Sequence, residues 1–140
     1  MGQLLAYADE IDLNPPPGGW MTGFAARVSP SAGTHDPLMA RAVLLDDGSQ
    51  RVVIVSCDLL GWAPDAAREM RRRIGDSAGA PAENVLIGCT HTHSGPACMP
   101  LRGVMGYVDE GWLAAAQSRI VDLVGSLAAR LVRARLRWAV

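Results

Sequence analysis

The stretch Thr90-His91-Thr92-His93-Ser94-Gly95-Pro96 holds two of the chain's three histidines. It follows directly on an apolar run, Asn84 to Cys89, that reads as a short buried strand. In extended backbone, residues two apart point to the same side. His91 and His93 are therefore expected to aim both imidazoles at one point beyond the strand's carboxyl end, the edge where open α/β sheets hold ligands. Imidazole is a common zinc ligand, and a catalytic zinc takes several protein ligands plus an open position for water. Water bound there becomes a usable nucleophile near neutral pH. The competing reading is a polar turn whose side chains only satisfy backbone groups. The pairing of two imidazoles among Thr, Ser and Gly at a strand end favours a site.

Other reactive residues say less. Ser94 adjoins His93, but neighbours in extended chain face opposite ways, and no GxSxG elbow is present. Ser94-Gly95-Pro96 reads instead as a turn. Asp58, at the end of the preceding strand, either orients a histidine from behind or begins the turn into Gly61. His35, next to Asp36 in a long loop, reads as a solvated residue. Cys57, Cys89 and Cys98 are odd in number and show no CxxC spacing, which fits neither a disulfide scaffold nor a cysteine-rich zinc module.

Strands must deliver the histidine segment. Leu4 to Leu13 reads as an edge strand. The run Asn14-Pro15-Pro16-Pro17-Gly18-Gly19 then stops regular structure and leads into a long loop, of the kind that is often functional. Met39–Asp46 and Arg51–Leu59 read as strands joined by an Asp47-Gly48 hairpin. Pro64 opens a helix with Ala67, Met70 and Ile74 at helical spacing, closed by Gly79 to Pro81. After the strand ending at Cys89, residues 90–107 are irregular, with Gly95, Pro96, Pro100, Gly103 and Gly106. Asp109 caps a second helix whose apolar stripe is Trp112, Ala116, Ile120, Val124, Leu127 and Leu131. Arg135 to Val140 alternate like a closing strand. The fold class is α/β, a mixed and partly parallel sheet with flanking helices, in one domain over residues 1–140. Metal amidohydrolases with barrel folds also carry HxH, usually after their first strand. The two strands and a helix that precede it here argue against a barrel.

Composition bounds the rest. Of 140 residues, 49% are hydrophobic and 19% charged, a globular balance. A net charge of −1 gives no field to attract nucleic acid. Arg71-Arg72-Arg73 and the group Arg130, Arg133, Arg135 and Arg137 read as solvated faces. No run is long enough to cross a membrane and no leader is visible, so the default expectation is a soluble, cytoplasmic chain.

Asn84–Pro96 (NVLIGCTHTHSGP) resembles the amino-terminal signature of the neutral/alkaline non-lysosomal ceramidases. Ile11–Pro16, Met21–Ala25, His35–Arg41 and Val53–Gly61 agree with that family in the same order. The resemblance implies a single zinc that activates water to cleave N-acylsphingosine, a lipid amide, into sphingosine and fatty acid. It implies His91 as a zinc ligand, His93 as a catalytic residue at the substrate or transition state, and Gly23 as part of the substrate-binding wall. Family members are several times longer, and a second histidine, a glutamate, a tyrosine and a pocket arginine come from their later sequence. The expectation is thus a truncated part of a larger catalytic domain, active when the missing sequence completes it. The alternative is a non-catalytic α/β fragment or interaction module that self-associates or pairs with that sequence. An independent small hydrolase would need ligands from Asp36, Asp58 or a second subunit.

Overall fold

The computed structural model describes residues 3–100 and 106–139. Among them five strands form one sheet: β1 (Leu5–Asp12), β2 (Met39–Asp46), β3 (Arg51–Cys57), β4 (Val85–Cys89) and β5 (Val132–Arg133), in the order β4-β3-β2-β1-β5. The β1–β2, β2–β3 and β1–β5 pairs are antiparallel, and β3–β4 is parallel, with Cys57 opposite Cys89. The sheet is mixed and partly parallel, as expected.

A four-residue loop joins β2 to β3, with Asp47 Oδ1 accepting from the Ser49 and Gln50 amides at the Asp47-Gly48 turn. Helix α1 (Pro64–Ala78) makes the crossover to β4. Proline stands in its first turn, and Gly79, at φ 65°, closes it in the left-handed region that a residue without Cβ enters freely. Helix α2 (Glu110–Leu127) starts where Asp109 accepts a hydrogen bond from the Trp112 amide at 2.9 Å.

Alternate residues decide the faces. Ala40, Ala42 and Leu44 of β2, Val53, Val55 and Cys57 of β3, and Val85 of β4 are buried. They form one core with Met70 and Ile74 of α1 and Ile120, Val124 and Leu127 of α2. The opposite face carries the cross-strand row Ala8, Val43, Ile54 and Leu86. Leu86 is 61% exposed and Ile54 39%.

Three expectations are corrected. The first strand is not an outermost one, because the two residues of β5 pair along its free side. That pairing uses Val132–Arg133, followed by one bond from the Ala134 amide to the Leu4 carbonyl, and residues 135–139 form no strand because they run past the start of β1. The second helix ends at Leu127, and a single 3₁₀ turn over Ala128–Arg130 precedes Leu131, which leaves the helical stripe yet still packs on the core. Gly103, of the irregular 90–107 stretch, and Val140 lie outside the described residues.

Candidate active site

The parallel strand β4 carries the chain to the carboxyl edge of the sheet, where the Thr90 amide still donates to the Cys57 carbonyl at 3.0 Å. The next residue departs from extended geometry. His91 has φ 60°, the one described non-glycine residue with a positive φ. Such a conformation costs roughly 1–3 kcal/mol and persists only where surroundings enforce it. The expected extended alternation is therefore wrong at His91 itself. The imidazoles nevertheless meet: their ring centroids lie 5.2 Å apart with the planes at 65°.

His91 is held from behind. Its Nδ1 lies 2.9 Å from the carbonyl oxygen of Leu60, in the turn that follows β3. A carbonyl only accepts, so Nδ1 carries the proton and Nε2 keeps its lone pair. Metal-bound histidines typically tie their second nitrogen in this way. The orienting group is thus a backbone carbonyl and not Asp58. The carboxylate of Asp58 accepts from the Met39 amide at 3.1 Å and from Arg41 at 3.0 Å, and Arg41 also reaches Glu10. Next to Leu60, the Gly61 carbonyl accepts from the Cys98 thiol at 2.8 Å.

His93 is held from the side by the first long loop. Thr22 donates its amide to the Gly95 carbonyl at 2.9 Å, and Met21 bridges to Pro96. Gly23 then sits against His93. It has φ 102°, and a Cβ there would lie 2.5 Å from the imidazole Cγ and 2.8 Å from the His93 Cα. Only glycine meets both demands. Arg27 donates to the carbonyls of Thr22 and His93, each at 3.3 Å, and lies over the Phe24 ring. Phe24 in turn meets His93 edge-on at 5.3 Å and is 53% exposed. His91, His93 and Gly23 are therefore brought together.

The hydroxyl side chains beside and between the histidines face elsewhere. Thr90, Thr92 and Ser94 line a cleft of about 610 Å³ that also takes in Asn14, His35 and Asp58, and neither His91 nor His93 lines it. His35 bonds Asp36 and its side chain is 96% exposed. The three cysteines are reduced thiols. Burial, and secondarily the proximity of Cys89, pushes the Cys57 thiol up to about 12; burial and the proximity of Cys98 push Cys89 up to about 11. Neither is a nucleophile at neutral pH.

As a metal position, the arrangement fits one corner. His91 offers an oriented Nε2, with His93 beside it. Among the described residues no three or more His, Cys, Asp or Glu side chains converge, so a full zinc ligand set does not assemble from them. Sequence patterning does not single out the Leu60 carbonyl, Arg27 or Phe24. A backbone carbonyl leaves no trace there. Phe24 and Arg27, three apart in a glycine-bearing loop, give at most a hint.

Fold and site define an α/β segment that presents an imidazole pair at the carboxyl edge of a mixed sheet. The sequence profile of the neutral/alkaline non-lysosomal ceramidase N-terminal region matches residues 14–134, and the chain belongs to that family. It is 31% identical over 113 residues to the neutral ceramidase of Mycobacterium tuberculosis, covering 73% of this chain and 17% of that one. The crystal structure of neutral ceramidase from Pseudomonas aeruginosa superposes with a TM-score of 0.77 at 26% identity, covering 95% of this chain and 22% of the other. A ceramidase complexed with C2 matches with the same TM-score at 25% identity. The chain thus spans about a fifth of the length of these relatives.

Proposed function

We propose that residues 1–140 form the amino-terminal, ligand-bearing part of a zinc-dependent hydrolase of lipid amides, with N-acylsphingosine as the substrate class. The observation that carries this reading is the His91 ring, with Nδ1 tied to Leu60 and Nε2 left open, beside His93 and Gly23. In this reading His91 is one zinc ligand, His93 is the catalytic residue that contacts the scissile amide or its transition state, and Gly23 forms the substrate wall. A zinc held there would supply a water of lowered pKa. This chain's residues orient one ligand and place a second imidazole within reach of the same point. The remaining ligands come from sequence outside these residues. The exposed phenyl of Phe24 gives the amide an apolar neighbour.

The test is metal content of the purified chain, with His91→Ala and His93→Ala beside it, followed by hydrolysis of a short-chain ceramide. Zinc that is bound and lost in His91→Ala supports the ligand role, and amide cleavage lost in His93→Ala supports the catalytic one. Zinc bound as tightly by His91→Ala as by the native chain sinks the ligand role.

One observation favours a second reading, a module that pairs through its sheet. The row Ala8, Val43, Ile54 and Leu86 leaves apolar surface uncovered by either helix, a surface suited to self-association or to further sequence of the same domain. Concentration-dependent dimerisation abolished by Ile54→Glu, without zinc uptake, would support it.

A further inference from the structure

The His91 ring is set by Leu60, so whatever fixes Leu60 fixes the ring. Leu60 belongs to the turn Asp58–Gly61, which leaves β3 sharply: the Leu59 amide donates back to the Cys57 carbonyl at 2.9 Å. Leu59 and Leu60 are buried and anchor the turn from below. Above, Asp58 closes a two-way clasp on Met39, the first residue of β2. Its amide donates to the Met39 carbonyl at 2.8 Å, and its carboxylate accepts from the Met39 amide at 3.1 Å. The same carboxylate oxygen takes Arg41 Nη1 at 3.0 Å, and Arg41 Nε holds Glu10 Oε2 on β1 at 3.0 Å. One carboxylate and one guanidinium thus link β1 and β2 to the turn after β3, two residues before the carbonyl that meets His91. The Asp58 side chain is 19% exposed, so the charge pair is partly sheltered from water. No hydrogen bond joins Asp58 to either histidine; it acts through the backbone.

We propose that Asp58 and Arg41 are positioning residues for His91: their clasp, from β1 and β2 to the turn after β3, sets the Leu60 carbonyl, which keeps Nδ1 protonated and leaves Nε2 as the open donor. The purpose rests on the reading of His91 as a metal ligand, but the geometry and its test do not. Arg41→Met removes the cation and keeps an unbranched stem. Asp58→Asn keeps an oxygen for the Met39 amide and gives up the charge. Asp58→Ala removes both partners.

The experiment is long-range ¹H–¹⁵N correlation of the histidine rings in the 140-residue chain at pH 8, where ordinary imidazoles are neutral. His35 serves as the solvated reference. The native His91 ring is expected in a single Nδ1–H form. Asp58→Ala is expected to turn it into a mixture with the Nε2–H form, Arg41→Met to do so to a smaller extent, and Asp58→Asn to fall closest to native. In parallel, Co²⁺ titration is expected to weaken about 10- to 100-fold in Asp58→Ala, the size typical for loss of a group that orients a ligand. An unchanged single Nδ1–H ring in folded Asp58→Ala and Arg41→Met overturns the proposal. Should Asp58→Ala unfold, Arg41→Met decides alone, since the Arg41 side chain is 51% exposed and its loss leaves the core intact. A native ring that is not Nδ1–H also overturns it. A native Nδ1–H ring that shifts in the variants, in a chain whose metal uptake His91→Ala leaves unchanged, upholds the positioning and defeats the ligand reading instead.

Discussion

At the scale of single residues, the site rests on two backbone conformations that most side chains resist. His91 sits at φ 60° and carries a Cβ there, so replacing it separates strain from function. His91→Gly and His91→Ala both remove the imidazole, but only alanine retains the strain. The glycine variant is expected to be about 1 kcal/mol more stable in urea denaturation. Equal stabilities would mean that the left-handed backbone relaxes in solution. Gly23 is the converse case. Gly23→Ala meets both an unfavourable φ and the His93 ring at 2.5 Å, and is expected to lose roughly 2–3 kcal/mol with the His93 ring displaced, read by denaturation and by its NMR shifts. These two positions also show what the sequence disclosed. The pairing of His91 with His93 was legible because two imidazoles two positions apart after an apolar strand have few other places to go. The means was not legible: the expected extended backbone is absent at His91, and its partner is a carbonyl, which any residue at position 60 would possess.

At the scale of elements, most boundaries follow from local signals. Proline in the first turn of α1, glycine after its end, Asp109 before α2 and Asp47-Gly48 between β2 and β3 all stand where local chemistry puts them. Asp109→Ala is expected to cost about 1 kcal/mol through loss of the bond to the Trp112 amide, seen as a lower thermal midpoint. The elements that escaped are those decided at a distance. Residues 135–140 alternate in sequence as well as many strands do, yet the antiparallel register that pairs Arg133 with Leu5 carries the chain from residue 135 onward past the start of β1, so the ladder ends there. The thiols at the ends of β3 and β4 carry a pH consequence. Their folded pKa values lie above that of a free thiol, so the folded chain holds protons that the unfolded chain releases as pH rises. The associated stability is complete below about pH 8.5, the ordinary thiol value, and is lost as pH climbs towards the folded values of about 11 and 12. Urea midpoints are expected to fall across that window, and Cys57→Ala to flatten the fall.

At the scale of the whole molecule, the chain is a one-sided sandwich. Helices cover one face of the sheet, while the other shows a row of alanine, valine, isoleucine and leucine rimmed by Glu10 and Arg41. Leu86→Glu on that face is expected to change stability by less than about 0.5 kcal/mol while raising solubility, because its side chain is 61% exposed. A large loss of stability would mean that the face is covered in solution. The α/β class was readable from the alternation of strands and helices. The one-sidedness was not, since a strand with one bare face and one destined for cover can carry the same apolar residues.

The staple between β1 and the chain's last elements has a kinetic meaning. Leu5 and Ala6 pair with Arg133 and Val132, Arg130 holds Asp9 and Tyr7, and the Trp112 indole donates to the Leu13 carbonyl. These contacts bridge about a hundred residues or more, whereas β2, β3, α1 and β4 meet through short connections. Assembly ordered by loop-closure entropy would therefore begin with the β2–β3 hairpin and end with the pairing of β1 and β5. During synthesis, the strand made first would be the last to find its full set of neighbours. The His91 turn, supported by β3 and β4, and the Gly23 loop, which meets it through Gly95 and His93, would both be in place before the last elements close on β1.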